Sequence, residues 1–189
     1  MTAPTSAPAR AASAIDSALE HAERSPEATR TRLLTWQNPL PTAAAGAELA
    51  GLEYMHRVIA GELPPPPIAV TLRMGIVEVE EGRAVFAGEP GEEHYNPIGV
   101  VHGGYAATLL DSAIGCAVHT TLPAGTAYTT LTLEAKFVRP ITRETGSVRC
   151  EAMVVHRGRR QATADARLID GDGRLLAHGT GTCMILGTL

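Results

Sequence analysis

One carboxylate, Asp111, lies in the middle of the apolar segment NPIGVVHGGYAATLLDSAIGCAVHTTL, residues 96–122. An unpaired buried carboxylate costs several kcal/mol, a large part of a domain's net stability of about 5–15 kcal/mol. A sequence that keeps such a group usually uses it. A carboxylate can act as a general base or as a nucleophile, so Asp111 is the first candidate catalytic residue.

The start of the same segment offers a complementary group. The segment is predicted to form one long buried helix preceded by a glycine-rich turn, and His102, Gly103 and Gly104 stand where the helix begins. The first N–H groups of a helix have no partner within it, and glycine lets a ligand approach the main chain. This end therefore suits an anion or an oxyanion, although a glycine pair taken alone is more often only a tight turn.

Each of these residues also has a purely structural interpretation. Asp111 could be bonded to Thr108 one turn earlier, and His102 could simply cap the helix. Asn96 stands before Pro97, which is typical of a turn. The sequence around these residues must decide between the two interpretations.

Composition excludes several classes of protein. The chain has 189 residues and a formal net charge of −4, and its longest basic run is RGRR, residues 157–160, so nucleic-acid binding is not favoured. Three widely separated cysteines are typical of buried reduced thiols and favour the cytoplasm. No apolar run has the length of a membrane span. The histidines show no close pair at ligand spacing, so no metal site is predicted.

The pattern along the chain predicts an antiparallel sheet with one helix on one face. Leu49, Leu52, Met55 and Ile59 recur at helical spacing, and Gly61 and the prolines at 64–67 should end that short helix. A hairpin follows, with strands at 76–79 and 84–86 around the turn EEGR. After the long helix, four further strands are expected near residues 127–138, 147–156, 161–169 and 175–186.

This order divides the chain into an N-terminal segment and one folded domain. Residues 1–47 are expected to be mobile or extended, because residues 1–26 are rich in Ala, Ser, Thr and Pro and bury little, with at most a short helix around residues 15–24. Residues 48–189 are expected to form the domain, led by the short helix.

The motif NPIGVVHGG followed by Asp111, then TTLTLEAKFVRP and GRRQATADARLIDGDGRLLAHGTGT, resembles the hotdog-fold thioesterases of the phenylacetate-pathway (PaaI-like) type. These proteins belong to the 4-hydroxybenzoyl-CoA thioesterase superfamily. The core resemblance covers about residues 68–186, and an N-terminal extension found in a subgroup carries it back to about residue 30. It implies an α+β hotdog fold, in which an antiparallel sheet wraps around one long central helix, with an N-terminal helical extension.

The resemblance also assigns roles to residues of the motif. It implies an acyl-CoA thioesterase with Asp111 as nucleophile or general base and the Gly103 backbone N–H as oxyanion donor. Asn96 would hold the thioester carbonyl or the attacking water, and His102 would orient the loop or contact the thioester. Gly104 would lie beside the substrate at the helix start.

Further substrate contacts are implied on the strand after the helix and at a surface turn. A water-positioning hydroxyl would be Thr130, counting back from Pro140, or Thr129, counting forward from Asp111. The nucleotide end of coenzyme A would be held near Arg157, Gly158 and Arg159, although such a cluster is more often a solvated turn.

Coenzyme A would be part of the substrate, and no cofactor is expected. Two other functions stay open. One is an acyl-thioester hydratase or dehydratase, which would need a His-Phe-Pro-Gly loop that this sequence lacks. The other is a non-catalytic acyl-CoA binding or regulatory module.

Helix geometry predicts how the site is assembled. Gly103 and Asp111 would be separated by roughly 12 Å along one helix, which is too far for one reacting carbon. We therefore expect a homodimer with sites shared between subunits, as the resemblance also implies, and such dimers can pair again into a tetramer.

Overall fold

The computed structural model describes the backbone of residues 29–188 and the side chains of residues 29–187. The chain divides into two compact units, Met1–Leu34 and Thr35–Leu189. In the first unit, residues 29–34 form neither helix nor strand. The expected mobility of residues 1–26 and the short helix around 15–24 lie outside the described residues.

The second unit contains a six-stranded antiparallel sheet. Its strands are β1 (Met74–Glu80), β2 (Arg83–Gly88), β3 (Thr126–Phe137), β4 (Val148–Arg157), β5 (Gln161–Ile169) and β6 (Leu175–Thr188). The order across the sheet is β1-β2-β4-β5-β6-β3, so β3 pairs with the last strand at one edge. The hairpin and the four later strands therefore lie close to where the sequence predicts them.

The long helix α4, Gly103–His119, packs on one face of this sheet. Leu109, Leu110 and Ile114 are fully buried in this contact. Small residues on the sheet allow the helix to come close. A Cβ atom on Gly181 would lie 2.9 Å from Cγ2 of Ile114, which makes glycine necessary at that crossing. The helix starts and ends within the predicted segment 96–122, and residues 96–102 form the loop before it.

Alternation along β5 shows how the sheet separates core from solvent. Ala162, Ala164 and Leu168 are fully buried against the helix side, while Asp165 and Arg167 between them are exposed. This period of two is the pattern of a sheet with one covered face. One antiparallel sheet around one central helix is the hotdog architecture, and that expectation is confirmed.

In the described part of the chain, three shorter helices lead into the sheet: α1 (Pro39–Ala47), α2 (Gly51–Ile59) and α3 (Pro67–Leu72). Helix α2 is the predicted amphipathic helix, and its Met55 is buried. Helix α1 lies within the segment that was expected to be mobile or extended. It begins because Asn38 caps it, with Oδ1 accepting from the Leu40 N–H at 3.1 Å, and Pro39 suits the first helical position.

The contact between α2 and α4 is tight. The Gly51 N–H donates to the Leu122 carbonyl at 3.0 Å, and a Cβ atom on Gly51 would lie 1.8 Å from the His119 carbonyl oxygen. Helix α2 therefore begins directly against the end of α4. Among the described residues, no helix is both long and apolar enough to cross a membrane.

Candidate active site

Asp111 lies in the middle of α4 and is half-buried. Its carboxylate accepts a hydrogen bond of 2.9 Å from the hydroxyl of Thr130 on β3. Thr108, the partner expected from a structural role, instead donates to the Gly104 carbonyl at 2.8 Å. The carboxylate is thus directed across to the sheet rather than back along its own helix.

Only one of the two candidate threonines reaches this carboxylate. Thr130 pairs across the sheet with the buried Cys183, whereas Thr129 is exposed. Successive side chains of a strand point to opposite faces. Thr130 therefore shares the helix side of the sheet with Asp111, and Thr129 does not.

An apolar cavity of about 230 Å³ opens beside Asp111. Helices α2, α3 and α4 and strand β1 supply most of its wall, including Met55, Ile68 and Ile76. Of the described residues that line it, Asp111 is the only one with a charged side chain. The cavity suits an apolar ligand group with a polar end at the carboxylate.

A thiol also lines this cavity, one and a half turns after Asp111. Burial raises the pKa of the Cys116 thiol to about 12, and the negative charge of Asp111 acts in the same direction. The thiolate is the nucleophilic form of cysteine, so a thiol with this pKa is inert at neutral pH. Asp111 is therefore the better candidate for the chemistry in this cavity.

The loop before α4 is organised by the side chain of Asn96. Its Oδ1 accepts from the Ile98 N–H at 3.0 Å and from the Val100 N–H at 3.3 Å. This is the turn that Asn before Pro favours. The side-chain carbonyl is thus used within the loop, and the NH₂ group is the part of this amide that can donate to a ligand.

His102 caps α4, because its Nδ1 accepts from the Gly104 N–H at 2.8 Å. The Gly103 N–H, by contrast, has no hydrogen-bond partner among the described residues. Gly103 lines a second cavity of about 370 Å³, together with Phe137 and Arg139. An unpaired N–H at a helix start is a donor for an anion or an oxyanion.

Within one chain, these two groups of residues do not meet. Asp111 and Thr130 line the cavity under α2, while His102 and Gly103 line the cavity at the start of α4. Eight residues of helix separate Gly103 from Asp111, which corresponds to about 12 Å.

The basic turn also lies away from Asp111 in space within one subunit. Arg157 ends β4, and the turn after it is closed by the Gly158 N–H, which donates to the Gln161 carbonyl at 2.8 Å. Arg157 and Arg159 are exposed. Four residues lie opposite one another on neighbouring strands, in the order Arg157, Ala162, Cys183 and Thr130. Three strand spacings therefore separate Arg157 from Thr130, which corresponds to roughly 14 Å.

The sequence patterns did not identify the aromatic residues that close the apolar cavity beside Asp111, here called the Asp111 cavity. Tyr54 of α2 and Tyr128 of β3 both line it. The His119 ring stands between them, with ring centroids 5.7 Å from Tyr54 and 5.0 Å from Tyr128. The helical spacing around Met55 predicted that α2 packs on the core, but nothing in it indicated that Tyr54 borders the site.

Comparisons with known proteins agree with this architecture. The family model described as the thioesterase superfamily matches residues 98–177 of the sequence. A phenylacetic acid degradation-related protein from Ralstonia eutropha JMP134 is 34% identical, over 69% of this chain and 98% of that one, with a TM-score of 0.63. A mutant of the phenylacetic acid degradation protein PaaI from Thermus thermophilus is 31% identical, over 64% of this chain and 100% of that one, with a TM-score of 0.58.

A more distant structure shares the fold. The Streptococcus mutans UA159 protein, solved with bound acetyl CoA, is 24% identical, over 61% of this chain and 90% of that one, with a TM-score of 0.56. The comparison with curated proteins gave no match. Because it spans nearly the whole of a relative to which it is 34% identical, the chain belongs to the thioesterase superfamily, as a thioester hydrolase with a PaaI-like hotdog fold.

Proposed function

We propose that the protein hydrolyses acyl-CoA thioesters to a free acid and coenzyme A, with Asp111 as general base or nucleophile. The observation that carries this proposal is the position of Asp111. It is the one charged side chain among the described residues that line an apolar cavity, and Thr130 holds its carboxylate. A carboxylate so placed can draw a proton from water or attack the thioester carbonyl. Coenzyme A is supported by the acetyl CoA bound to the Streptococcus mutans neighbour.

The oxyanion of the tetrahedral intermediate needs a donor that is already in place. The unpaired N–H of Gly103 fits this role, and removal of one such donor typically costs roughly 3–4 kcal/mol of activation free energy. As the intermediate collapses, the thiolate of coenzyme A leaves and takes up a proton. These steps need only water and the chain's own groups, so the proposal includes no cofactor.

The active site is proposed to be shared between two subunits of a homodimer. Within one chain, about 12 Å of helix lies between Gly103 and Asp111. If two α4 helices run antiparallel across a two-fold axis, Asp111 of one chain lies beside Gly103 and Asn96 of the partner subunit. Two equivalent sites result, and a further pairing into a tetramer is compatible with them.

The remaining roles follow from this assembly. His102 keeps α4 capped at the oxyanion site, and Gly104 supplies the N–H that it accepts. Arg157 and Arg159 are exposed cations that can bind the phosphates of coenzyme A where the partner subunit brings that end of the substrate, with Gly158 shaping their turn. The three cysteines are unpaired, which supports a reducing compartment such as the cytoplasm.

Release of free thiol from a series of acyl-CoAs tests this function. Wild type should release thiol, and Asp111→Asn should lower kcat by roughly 10²-fold or more, because the amide is neither a base nor a competent nucleophile. The matched control is Asp165→Asn. Asp165 accepts from the Thr180 hydroxyl at 2.7 Å in an exposed threonine–aspartate pair, so this variant should retain wild-type turnover. Turnover of Asp111→Asn within a few-fold of wild type would remove Asp111 from the mechanism.

A further inference from the structure

Two cavities lie on either side of one thin wall. The inner cavity, of about 230 Å³, contains Asp111, and the outer cavity, of about 490 Å³, lies under α1. Four residues line both of them: Tyr54, Met55, Cys116 and Tyr128. The wall is therefore one layer of side chains thick.

The ring of Tyr54 is held firmly in this wall. A Cβ atom on Gly46 would lie 2.7 Å from its Cε2 atom, so the absence of a side chain on α1 makes room for the ring. On its other side, the ring lies 5.7 Å from the ring of His119, measured between centroids. The ring is therefore packed between Gly46 of α1 and His119 of α4.

The outer cavity continues in the direction that an acyl tail would take. Asp111 lines the inner cavity, Cys116 lines both, and His119 lines the outer one, so the two cavities follow α4 towards its C-terminal end over roughly 12 Å. Burial lowers the pKa of His119, so its ring is neutral at neutral pH. The described residues that line the outer cavity include no acidic or cationic side chain. Its surface therefore suits hydrocarbon.

We propose that Tyr54 sets the maximum length of the acyl group, by closing the Asp111 cavity against the space under α1. The proposal rests on the proposed acyl-CoA hydrolysis and deepens it. Wild type accepts acyl groups that end before Tyr54 and discriminates against longer chains. Tyr54 is a specificity-determining residue, and the leading helices α1 and α2, which lie outside the strands and the central helix, supply the far end of the acyl site.

The test measures kcat/KM for straight-chain CoA thioesters from acetyl through butanoyl, hexanoyl, octanoyl and decanoyl to lauroyl. In Tyr54→Ala the two cavities join, and kcat/KM for the longest chains relative to butanoyl should rise by about 10-fold or more, since each additional buried methylene raises the affinity by roughly fourfold. Tyr54→Phe keeps the ring and should keep the wild-type profile. A Tyr54→Ala profile that matches wild type, in a folded protein, overturns the proposal.

Two further variants make the result specific. Tyr54→Leu removes the ring with less loss of packing, and it decides the matter if Tyr54→Ala does not fold. Ala47 lines only the outer of the two cavities, so adding Ala47→Trp to Tyr54→Ala should refill the joined space and cancel the gain for long chains. A gain that survives Ala47→Trp means that the tail does not enter the outer cavity, and this also overturns the proposal.

Binding separates this proposal from the proposed function. Unreactive acyl-CoA thioethers of the same chain lengths can be titrated calorimetrically against each variant. If no variant hydrolyses any thioester, the proposed function fails, and the thioether affinities still decide the role of Tyr54. A shift towards longer chains in Tyr54→Ala but not in Tyr54→Phe supports the proposal. Equal chain-length dependence in all variants contradicts it.

Discussion

The hydroxyl of Thr130 on β3 donates a 2.9 Å hydrogen bond to the carboxylate of Asp111 on α4. This contact joins the central helix to the edge strand that pairs with β6. A hydrogen bond to a charged group contributes about 1.5–3 kcal/mol. The contact therefore fixes the direction in which the proposed catalytic carboxylate points.

Removal of the Thr130 hydroxyl should impair turnover selectively. Thr130→Val keeps the shape of the side chain and loses the donor, so we expect kcat to fall by about 10-fold, in line with the loss of a hydrogen bond to a charged group. Thr129→Val is the matched control, because this side chain is exposed, and its kcat should stay within about twofold of wild type. Equal effects of the two substitutions would show that the contact does not matter for turnover.

The family resemblance implied a water-positioning hydroxyl on the strand after the helix, but it left the choice between Thr129 and Thr130 open. Counting from the helix and counting back from Pro140 disagree by one residue. Strand β3 is irregular between Thr130 and Thr132, where its register with β6 shifts. A bulge inserts one residue and reverses the faces of the strand beyond it, so alternation in the sequence alone did not decide which of the two adjacent threonines faces the helix.

The helices before the sheet show a similar limit of prediction from the sequence. The short helix around Met55 was predicted from its apolar spacing, and the prolines at 64–67 were interpreted only as its end. Pro67 in fact begins α3, and Pro39 begins α1 behind the capping Asn38. Both starts carry a recognisable signal, proline at a first helical position. The contact of α2 with α4 depends on tertiary packing, which no local pattern encodes.

The capping role of His102 can be separated from a role in binding substrate. His102→Ala removes the acceptor for the Gly104 N–H and should lower the free energy of unfolding by about 1 kcal/mol. Asn also caps helices well, so His102→Asn should restore most of this loss. Urea denaturation measures both variants, with thiol release measured in parallel. If His102→Asn restores stability but leaves kcat/KM as low as in His102→Ala, the imidazole contacts the thioester as well.

The close contact between α2 and α4 predicts a strong effect at Gly51. A Cβ atom there would lie 1.8 Å from the His119 carbonyl oxygen, so Gly51→Ala must push α2 away from α4. We expect a loss of about 2 kcal/mol or more in the free energy of unfolding, near the upper part of the usual range for overpacking. Gly171→Ala is the control, because nothing lies within 4 Å of its added Cβ atom. Similar urea midpoints for the two variants would contradict this description of the contact.

The proposed sharing of the site between two subunits leads to the last prediction, which concerns mixtures of inactive subunits. In the proposed shared site, Asp111→Asn damages the half with the carboxylate, and Asn96→Ala damages the half that is proposed to hold the carbonyl. In a mixed dimer both defects fall in one site, and the other site contains only intact residues. Random reassembly of equal amounts makes half of the dimers mixed, so activity should return to about a quarter of wild type.

The experiment unfolds and refolds the two variants together, and gel filtration and circular dichroism check each parent. Circular dichroism is needed because Asn96→Ala also removes two hydrogen bonds that hold the loop of residue 96. A control mixture combines Asp111→Asn with Thr130→Val. These two residues contact each other within one chain, so every site of the mixed dimer keeps one defect. This mixture should show no more than the mean of its parents. If subunits demonstrably exchange and the first mixture also stays at the mean of its parents, the site is not shared and each chain must work alone.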